Sequence, residues 1–339
     1  MPMVKLWTAY KMRMKRRRLL FRALRKRRQL SCVCNRTAQI SGGDILVFST
    51  VRNEIIRLPY FLDYYRKLGV QHFLFVDNDS NDGTRMYLQK QPDVSLWSTS
   101  HSYKLSRFGM DWLTWLQVKY GHGHWCLTVD ADEILVYPYC DERPLRALTD
   151  WLDSQTIASF GVLMLDLYPK GPLDRQIYQS GQDPVEILRW FDADNYRVKY
   201  EPKLQNYLVQ GGVRARYFFQ DIPERAPTMS KTPLVKWNRR YAYVSSTHSV
   251  LPTRLNHVSN IGTQNLVTGV LLHTKFLHII AEKSREEKQR QEHFANSRLY
   301  DSYYDRLSQS PDLWYSGAVE YRGWQQLEAL KLLSKGLWK

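Results

Sequence analysis

From Ile45 onward the apolar residues follow two periods in turn. ILVFSTV (45–51) is a continuous, β-branched-rich run of strand length. Ile55, Leu58, Phe61, Leu62, Tyr65 and Leu68 then share one helical face, with Gly69 as the stop. HFLFVD (72–77) predicts a second strand, followed by the turn-forming NDSNDGT and a short helix to Gln91 that Pro92 ends. VSLWST (94–99) predicts a third strand, 108–120 a helix, and WCLTVD (125–130) a fourth strand after the turn at Gly121 and Gly123. This βαβαβαβ order predicts an α/β fold with a Rossmann-like, mainly parallel central sheet and helices on both faces. Right-handed crossovers gather the helix-entering loops at the carboxyl ends of the strands, where open α/β sheets bind their ligands.

The polar residues assigned to that edge are chemically selective. Thr50, Arg52, Asn53 and Glu54 follow the first strand; Asp77, Asn78, Asp79 and Asp82 follow the second. Arg107 stands in the loop after the third, and Asp130, Asp132 and Glu133 follow the fourth. Three acidic clusters on one edge repel unless a cation or a hydroxyl-rich ligand lies between them. Two aspartates one residue apart at a strand end suit a hard divalent cation, Mn²⁺ or Mg²⁺, which leaves positions for water and substrate phosphates. An isolated Asp-x-Asp is equally a capped turn, and Asp79, Asp82 and Gly83 equally shape a turn; the position after a fourth parallel strand favours the metal.

Beyond the acidic turn, 142–155 predicts an amphipathic helix and FGVLMLDLYP (160–169) a strand ending near Asp166. Residues 171–200 predict loop, 201–250 short antiparallel strands, VLLHTKF (270–276) a strand or helix start, and 279–300 a solvent-facing helix. The expected organisation is a basic tail over 1–43, a nucleotide-binding half over 44–140, an acceptor-side half over 141–300, a smaller mixed region, and an amphipathic, aromatic extension over 301–339.

Charge changes the picture at one end only. The chain carries a formal charge of +16, but residues 1–43 hold thirteen Lys and Arg and no acid. Lys11–Leu30 interleaves Leu19, Leu20, Phe21, Leu24 and Leu30 with arginines, a basic amphipathic helix suited to an anionic membrane surface. The same composition also describes a solvated, disordered charge run. A nucleic-acid arm is disfavoured, because the body shows no second basic face. The tail lacks the apolar core and cleavage site of a signal peptide, and no segment has the roughly 20 apolar residues of a membrane span. Cys32, Cys34, Cys126 and Cys140 are too few and too irregular for a disulfide framework, which fits a reducing, cytoplasmic compartment.

FSTVRNE, FLFVDNDSNDGT and WCLTVDADE resemble, in order and spacing, the nucleotide-binding half of the metal-dependent glycosyltransferases of the GT-A fold, family 2-like, in a bacterial-type subgroup with a DADE motif. The likeness covers about residues 44–140. MLDLYPKGP, the paired glycines before Arg214, SKTPLVKW, Ser246-Thr247-His248, LLHTKF and His293-Phe294 extend it more loosely. The resemblance implies that Thr50 and Asp77 contact the base and ribose of the donor, with Asp79 nearby and Arg107 near the base or diphosphate. It implies that Asp130 and Asp132 hold ribose and metal, and that His273 supplies a further metal ligand. Where the family pattern places a Glu-Asp pair before an acceptor-side helix, this chain has none. Asp166, ending the strand after the acidic motif, is the candidate base that activates an acceptor hydroxyl; a strand-end cap is its other reading. His248 is an alternative for acceptor contact.

The expectation is a glycosyltransferase moving a sugar from a nucleotide donor, a UDP-sugar, to a glycan or lipid-linked acceptor in cell-surface polysaccharide synthesis. The tail, together with the Trp/Leu-rich 323–339, would hold it peripherally at the inner face of the cytoplasmic membrane. The alternatives are a nucleic-acid-binding protein using the basic arm and a metal-dependent nucleotidyltransferase, the latter without a GxxxxGK[ST] phosphate loop.

Overall fold

The computed structural model describes residues 2–259, 265–290, 292 and 301–339. The chain opens with helix α1 (Pro2–Lys26) and strand β1 (Ser31–Cys34). The alternating series follows: β2 (Ile45–Val51), α2 (Leu58–Lys67), β3 (His72–Asp77), α3 (Thr84–Gln89), β4 (Val94–Ser98), α4 (Met110–Tyr120) and β5 (Trp125–Thr128). Then come β6 (Glu133–Val136), α5 (Leu145–Ser154), β7 (Ser159–Asp166), β8 (Trp190–Phe191), β9 (Arg197–Glu201), β10 (Asn206–Gln210) and β11 (Ser230–Lys236). The last elements are β12 (Ala242–Tyr243), β13 (Val250–Leu251), β14 (Gly269–His273), α6 (Ile280–Arg290), α7 (Asp301–Ser308), β15 (Val319–Glu320) and α8 (Trp324–Ala329). The expected helix from 54 starts four residues later, because Pro59 has no amide hydrogen to donate and fits only the first turn. Of the segment 279–300, residues 291 and 293–300, with His293 and Phe294, lie outside the described residues.

Nine strands form one sheet in the order β1-β4-β3-β2-β5-β11-β7-β14-β6, and small antiparallel pairs flank it. β4, β3, β2 and β5 run parallel to one another. β11 enters antiparallel between β5 and β7, β14 runs parallel to β7, and β6 closes the edge antiparallel to β14. Strand order reverses beside β2, so the crevice between β2 and β5 is the switch point of the parallel half. Only Val129–Asp132 connect β5 to β6, although three strands stand between the two. In a flat sheet four strand spacings span about 19 Å, more than the about 17 Å that this connection reaches when extended. The half beyond β5 therefore curls, and the acidic turn is drawn tight across its mouth.

Period-two alternation assigns the strand faces. Ile45, Val47 and Val51 pack with Phe61, Leu62 and Tyr65 of α2 and Leu145 and Leu148 of α5. Leu46 and Phe48 face the other way, onto Trp112, Leu113 and Leu116 of α4.

Both ends of the chain join the body. Within the basic segment 1–43, β1 pairs antiparallel with β4 at the sheet edge. α1 is docked, with Leu19 and Ala23 buried, Leu19 in a cluster with Ala242 and Leu251, and Gln29 just beyond it accepting from Trp112 Nε1 at 3.0 Å. Arg22 Nη2 reaches Asp111 Oδ2 at 2.9 Å, and Arg107 Nε reaches Asp111 Oδ1 at 2.7 Å. The aromatic end contributes to the core, since Trp338 is buried against Tyr137, Tyr139 and Trp151 and Leu327 is fully buried, while Leu330 and Leu337 stay exposed. Among the described residues no helix is long and apolar enough to cross a membrane.

Asp111, wholly buried, thus holds two arginines from two elements. Asp111→Asn is expected to lower stability in urea by about 3 kcal/mol, because it leaves Arg107 without its carboxylate. Asp63→Asn, which removes an exposed ion pair with Lys67, is expected to change it by less than about 0.5 kcal/mol.

Candidate functional site

Strand register builds the centre of the site. His273 ends β14 directly opposite Asp166, which ends β7, and on its other side opposite Glu133, which begins β6. Thr274 fixes the acidic turn, its amide donating to the Asp132 carbonyl at 2.7 Å and its hydroxyl to the same oxygen at 3.0 Å. His273 consequently stands between two carboxylates, with Nε2 3.2 Å from Asp132 Oδ2 and Nδ1 2.5 Å from Asp166 Oδ1. Arg214, on a π-helical turn at Arg214–Phe218, donates to the same Asp166 oxygen at 2.7 Å.

The protonation states follow from these contacts. Burial disfavours a charged imidazole, but Asp132 and then Asp166 outweigh it and hold His273 above the ordinary histidine range. Burial likewise works against the charge on Asp132, yet His273 and then Arg57 hold it well below the usual carboxylate range. For Asp166, Arg214 and His273 overcome burial and depress the pKa strongly. A buried carboxylate so depressed is a poor proton acceptor. Asp166, expected from sequence as the base, accepts from Arg214 and adjoins His273 Nδ1, the two contacts that hold it ionised.

A second set of ions adjoins the first. Lys231 of β11, buried, bonds Glu133 and lies 3.8 Å from Asp130 Oδ2; Glu133 also accepts from the Asp130 amide at 3.1 Å. Burial lowers the Lys231 pKa, but Glu133 and Asp130 outweigh that and raise it. Asp130 presents a half-exposed carboxylate, its side chain 53% accessible. Arg57 pairs with Glu54 at 2.8 Å, and Lys283 of α6 bonds the other Glu54 oxygen. Lys275 lies over the Tyr303 ring, and burial followed by Arg214 brings its pKa down to about 8.

Two spaces open along this edge. At the switch point a small cavity of about 10 Å³ is lined by Thr50, Tyr103, Asp130, Lys231, Ser246 and Thr247, among others. The buried hydroxyls of Thr50 and Thr247 have no hydrogen-bond partner among the described residues. Gly109, at φ +74°, permits this crevice, since a Cβ there would stand 2.6 Å from Thr50 Oγ1. Beyond the ends of β2, β3 and β4 lies a polar cleft of about 350 Å³, lined by Arg52, Asn78, Asp79, Ser100, His101, Ser102, Arg290 and Glu292. That volume is in the range of small-molecule sites.

The structure thus brings together Asp132, His273 and Asp166, sets Thr50 and Asp130 at the adjoining cavity, and places Arg52 and Asp79 on the cleft. It gives other expected ligand residues structural partners. Asp77 is fully buried with Arg85 at 2.9 Å, and Arg107 clamps Asp111 while donating to the Tyr243 carbonyl at 2.8 Å. Asn53, at φ 51°, shapes its turn by accepting from the Asn81 amide at 2.9 Å. Glu54 faces Arg57 and Lys283 rather than open space. His248 is partly buried, with Nδ1 2.8 Å from the Ser230 carbonyl. Arg57, Arg214, Lys231 and Lys275 are given no role by the sequence, although GGVRAR, SKTPLVKW and LLHTKF mark the segments of the last three.

Among the described residues no three His, Cys, Asp or Glu side chains converge as a ready metal cage. Asp130 turns toward Lys231, whereas Asp132 and His273 adjoin. Asp132 and a neutral His273 would supply two ligands to a divalent cation, His273 releasing its Nε2 proton on binding.

No family model matches the chain, and no curated protein matches it. Among solved structures, a Bacillus anthracis protein assigned as a glucose-1-phosphate thymidylyltransferase, in complex with sucrose, is 8% identical with a TM-score of 0.31, over 85% of this chain and 95% of that one. A likeness at that level bears on neither fold nor chemistry.

The buried Arg214–Asp166 pair generates a measurable coupling. Arg214→Leu and Asp166→Leu singly are each expected to cost about 3–5 kcal/mol in urea denaturation. The double variant should cost less than their sum by more than about 1 kcal/mol.

Proposed function

We propose that this chain is a metal-dependent glycosyltransferase that moves a sugar from a nucleotide-sugar donor, a UDP-sugar, to a glycan or lipid-linked acceptor. The observation that carries the reading is the Asp132–His273 pair, set at the carboxyl edge of a parallel sheet among buried cations. Carboxylates alone would suit a cation, and cations alone a phosphate. Their juxtaposition suits a phosphate ester whose leaving group departs as an anion. Asp132 and His273 would hold Mn²⁺ or Mg²⁺, which supplies Lewis-acid stabilisation of the departing nucleoside diphosphate.

The residues of the chain divide the remaining work. The cleft at Arg52, Asn78, Asp79 and His101 accommodates the nucleoside, and Thr50 and Thr247 offer hydroxyls at the crevice between β2 and β5. Asp130, half exposed, accepts hydrogen bonds from ribose or sugar hydroxyls. Lys275 and Arg57 face the diphosphate. Asp166 and Arg214 fix the ring of His273 so that Nε2 points to the Asp132 side.

The test combines binding and turnover. A nucleoside diphosphate at about 100 times its Kd should add about 2.7 kcal/mol of stability, visible in a thermal melt only with Mn²⁺ present. Asp132→Asn and His273→Gln should each abolish that increment and reduce donor hydrolysis by about 10²-fold or more, while the unliganded protein still melts cooperatively. Unchanged Mn²⁺-dependent turnover in both variants sinks the mechanism.

A further inference from the structure

The docked α1 leaves one face that the domain does not use. Leu6, Trp7, Tyr10, Met14, Phe21 and Leu24 are between 42% and 70% exposed. At 100° per residue they fall within an arc of about 100°, while Leu19 and Ala23, on the opposite side, are the residues buried against the body. Trp7 stacks on Tyr10, and Lys11 lies over the Trp7 ring. Lys11, Arg17, Arg18 and Arg25, all exposed, line or flank this arc.

The surrounding field has one sign. Residues 1–43 contain no Asp or Glu. Arg16 is affected by burial and then by Arg13, Arg240, Arg17 and Arg254, so exposed arginines of the body extend the basic patch beyond the helix. Such crowding destabilises the isolated protein unless an anionic surface balances it.

We propose that this face of α1 lies in the interface of an anionic lipid bilayer, its apolar arc between the head groups and acyl chains and its cations on lipid phosphates. Six large apolar side chains turned to water gain nothing from a nucleic-acid backbone, which the arginines alone would satisfy. A second copy of the chain would set like-charged rows against each other. Only the bilayer surface takes both components at once. The proposal is independent of the reaction assigned above. It also fixes an orientation: Arg22 ties α1 to Asp111 and to the Leu105 carbonyl, in the loop whose Tyr103 and Phe108 line the cavity beside Asp130. The mouth of the candidate site is thereby held at a set distance from the membrane plane.

The experiment is cosedimentation of the full chain with phosphatidylcholine vesicles, alone or with about 30 mol% phosphatidylglycerol, at roughly 0.1 M and 0.5 M salt. Binding to the anionic vesicles should exceed binding to the neutral ones about 10-fold and weaken at high salt. Trp7→Ser/Phe21→Ser/Leu24→Ser and, separately, Arg17→Glu/Arg18→Glu/Arg25→Glu should each reduce it by about 10-fold with the thermal midpoint unchanged. A charge-only anion site would be insensitive to the first variant, and that result overturns the proposal. So would equal binding to both vesicle types, duplex DNA outcompeting the vesicles, or a dimer dissolved by the serine substitutions.

Discussion

The ring of His273, held between Asp132 and Asp166, is the constraint on which the rest of the site depends. Asp132 belongs to the turn leaving β5, Asp166 to the end of β7, and His273 to the end of β14. One imidazole therefore ties the parallel half of the sheet to its curled second half. Removing ions from water costs several kcal/mol each. Here the cost is offset locally: two carboxylates face an imidazolium and a guanidinium, and Arg214 and His273 share one Asp166 oxygen. The second Asp166 oxygen is buried without a partner among the described residues. The cluster is balanced in charge but not saturated in hydrogen bonds.

Incomplete saturation is not confined to this edge. Asp111, Arg22 and Arg107 form a second charge cluster in which both carboxylate oxygens are occupied, yet Nη2 of Arg107 is buried without a partner among the described residues. At the sheet edge the hydroxyls of Thr50 and Thr247 and the Nε of Arg57 lack partners. Buried polar groups are nearly always satisfied, so the exceptions that border the crevice are groups a ligand there would satisfy. Donors already aimed and dehydrated need no reorganisation when a charged ligand arrives.

The sequence carries the parallel half of this arrangement well and the mixed half poorly. Continuous apolar runs separated by helical spacing locate β2, β3, β4 and β5 because each is local in sequence and buried on both faces. The acidic turn is legible for the same reason: three acids interrupting an apolar run require an explanation where they stand. Lys231 is different. Its strand inserts between β5 and β7, and its partner Glu133 lies 98 residues away, a pairing that spacing along the chain does not encode. Arg107 and Asp77 show the converse. Both stand at a ligand-binding edge, but Asp111 and Arg85 lie one helical turn or two downstream and take them first. The basic amino-terminal segment is legible in part. The apolar stripe within Lys11–Leu30 predicts the helix, but composition does not encode its docking through Leu19, Ala23 and an ion pair across 89 residues.

That docking connects the two ends of the functional argument. Asp111 is the first-turn acid of α4, and it receives one arginine from α1 and another from the loop preceding α4. The same loop carries Tyr103, whose burial is followed, among the influences on its hydroxyl, by the charge of Asp130. Force applied along α1 is therefore transmitted through two charge-assisted bonds to a segment that borders the acidic turn. Neither step needs a long connection, because α1 packs directly against α4. A helix so placed does more than tether: whatever surface it meets is presented to the crevice between β2 and β5 at a fixed angle, and an acceptor embedded in that surface would be presented with it.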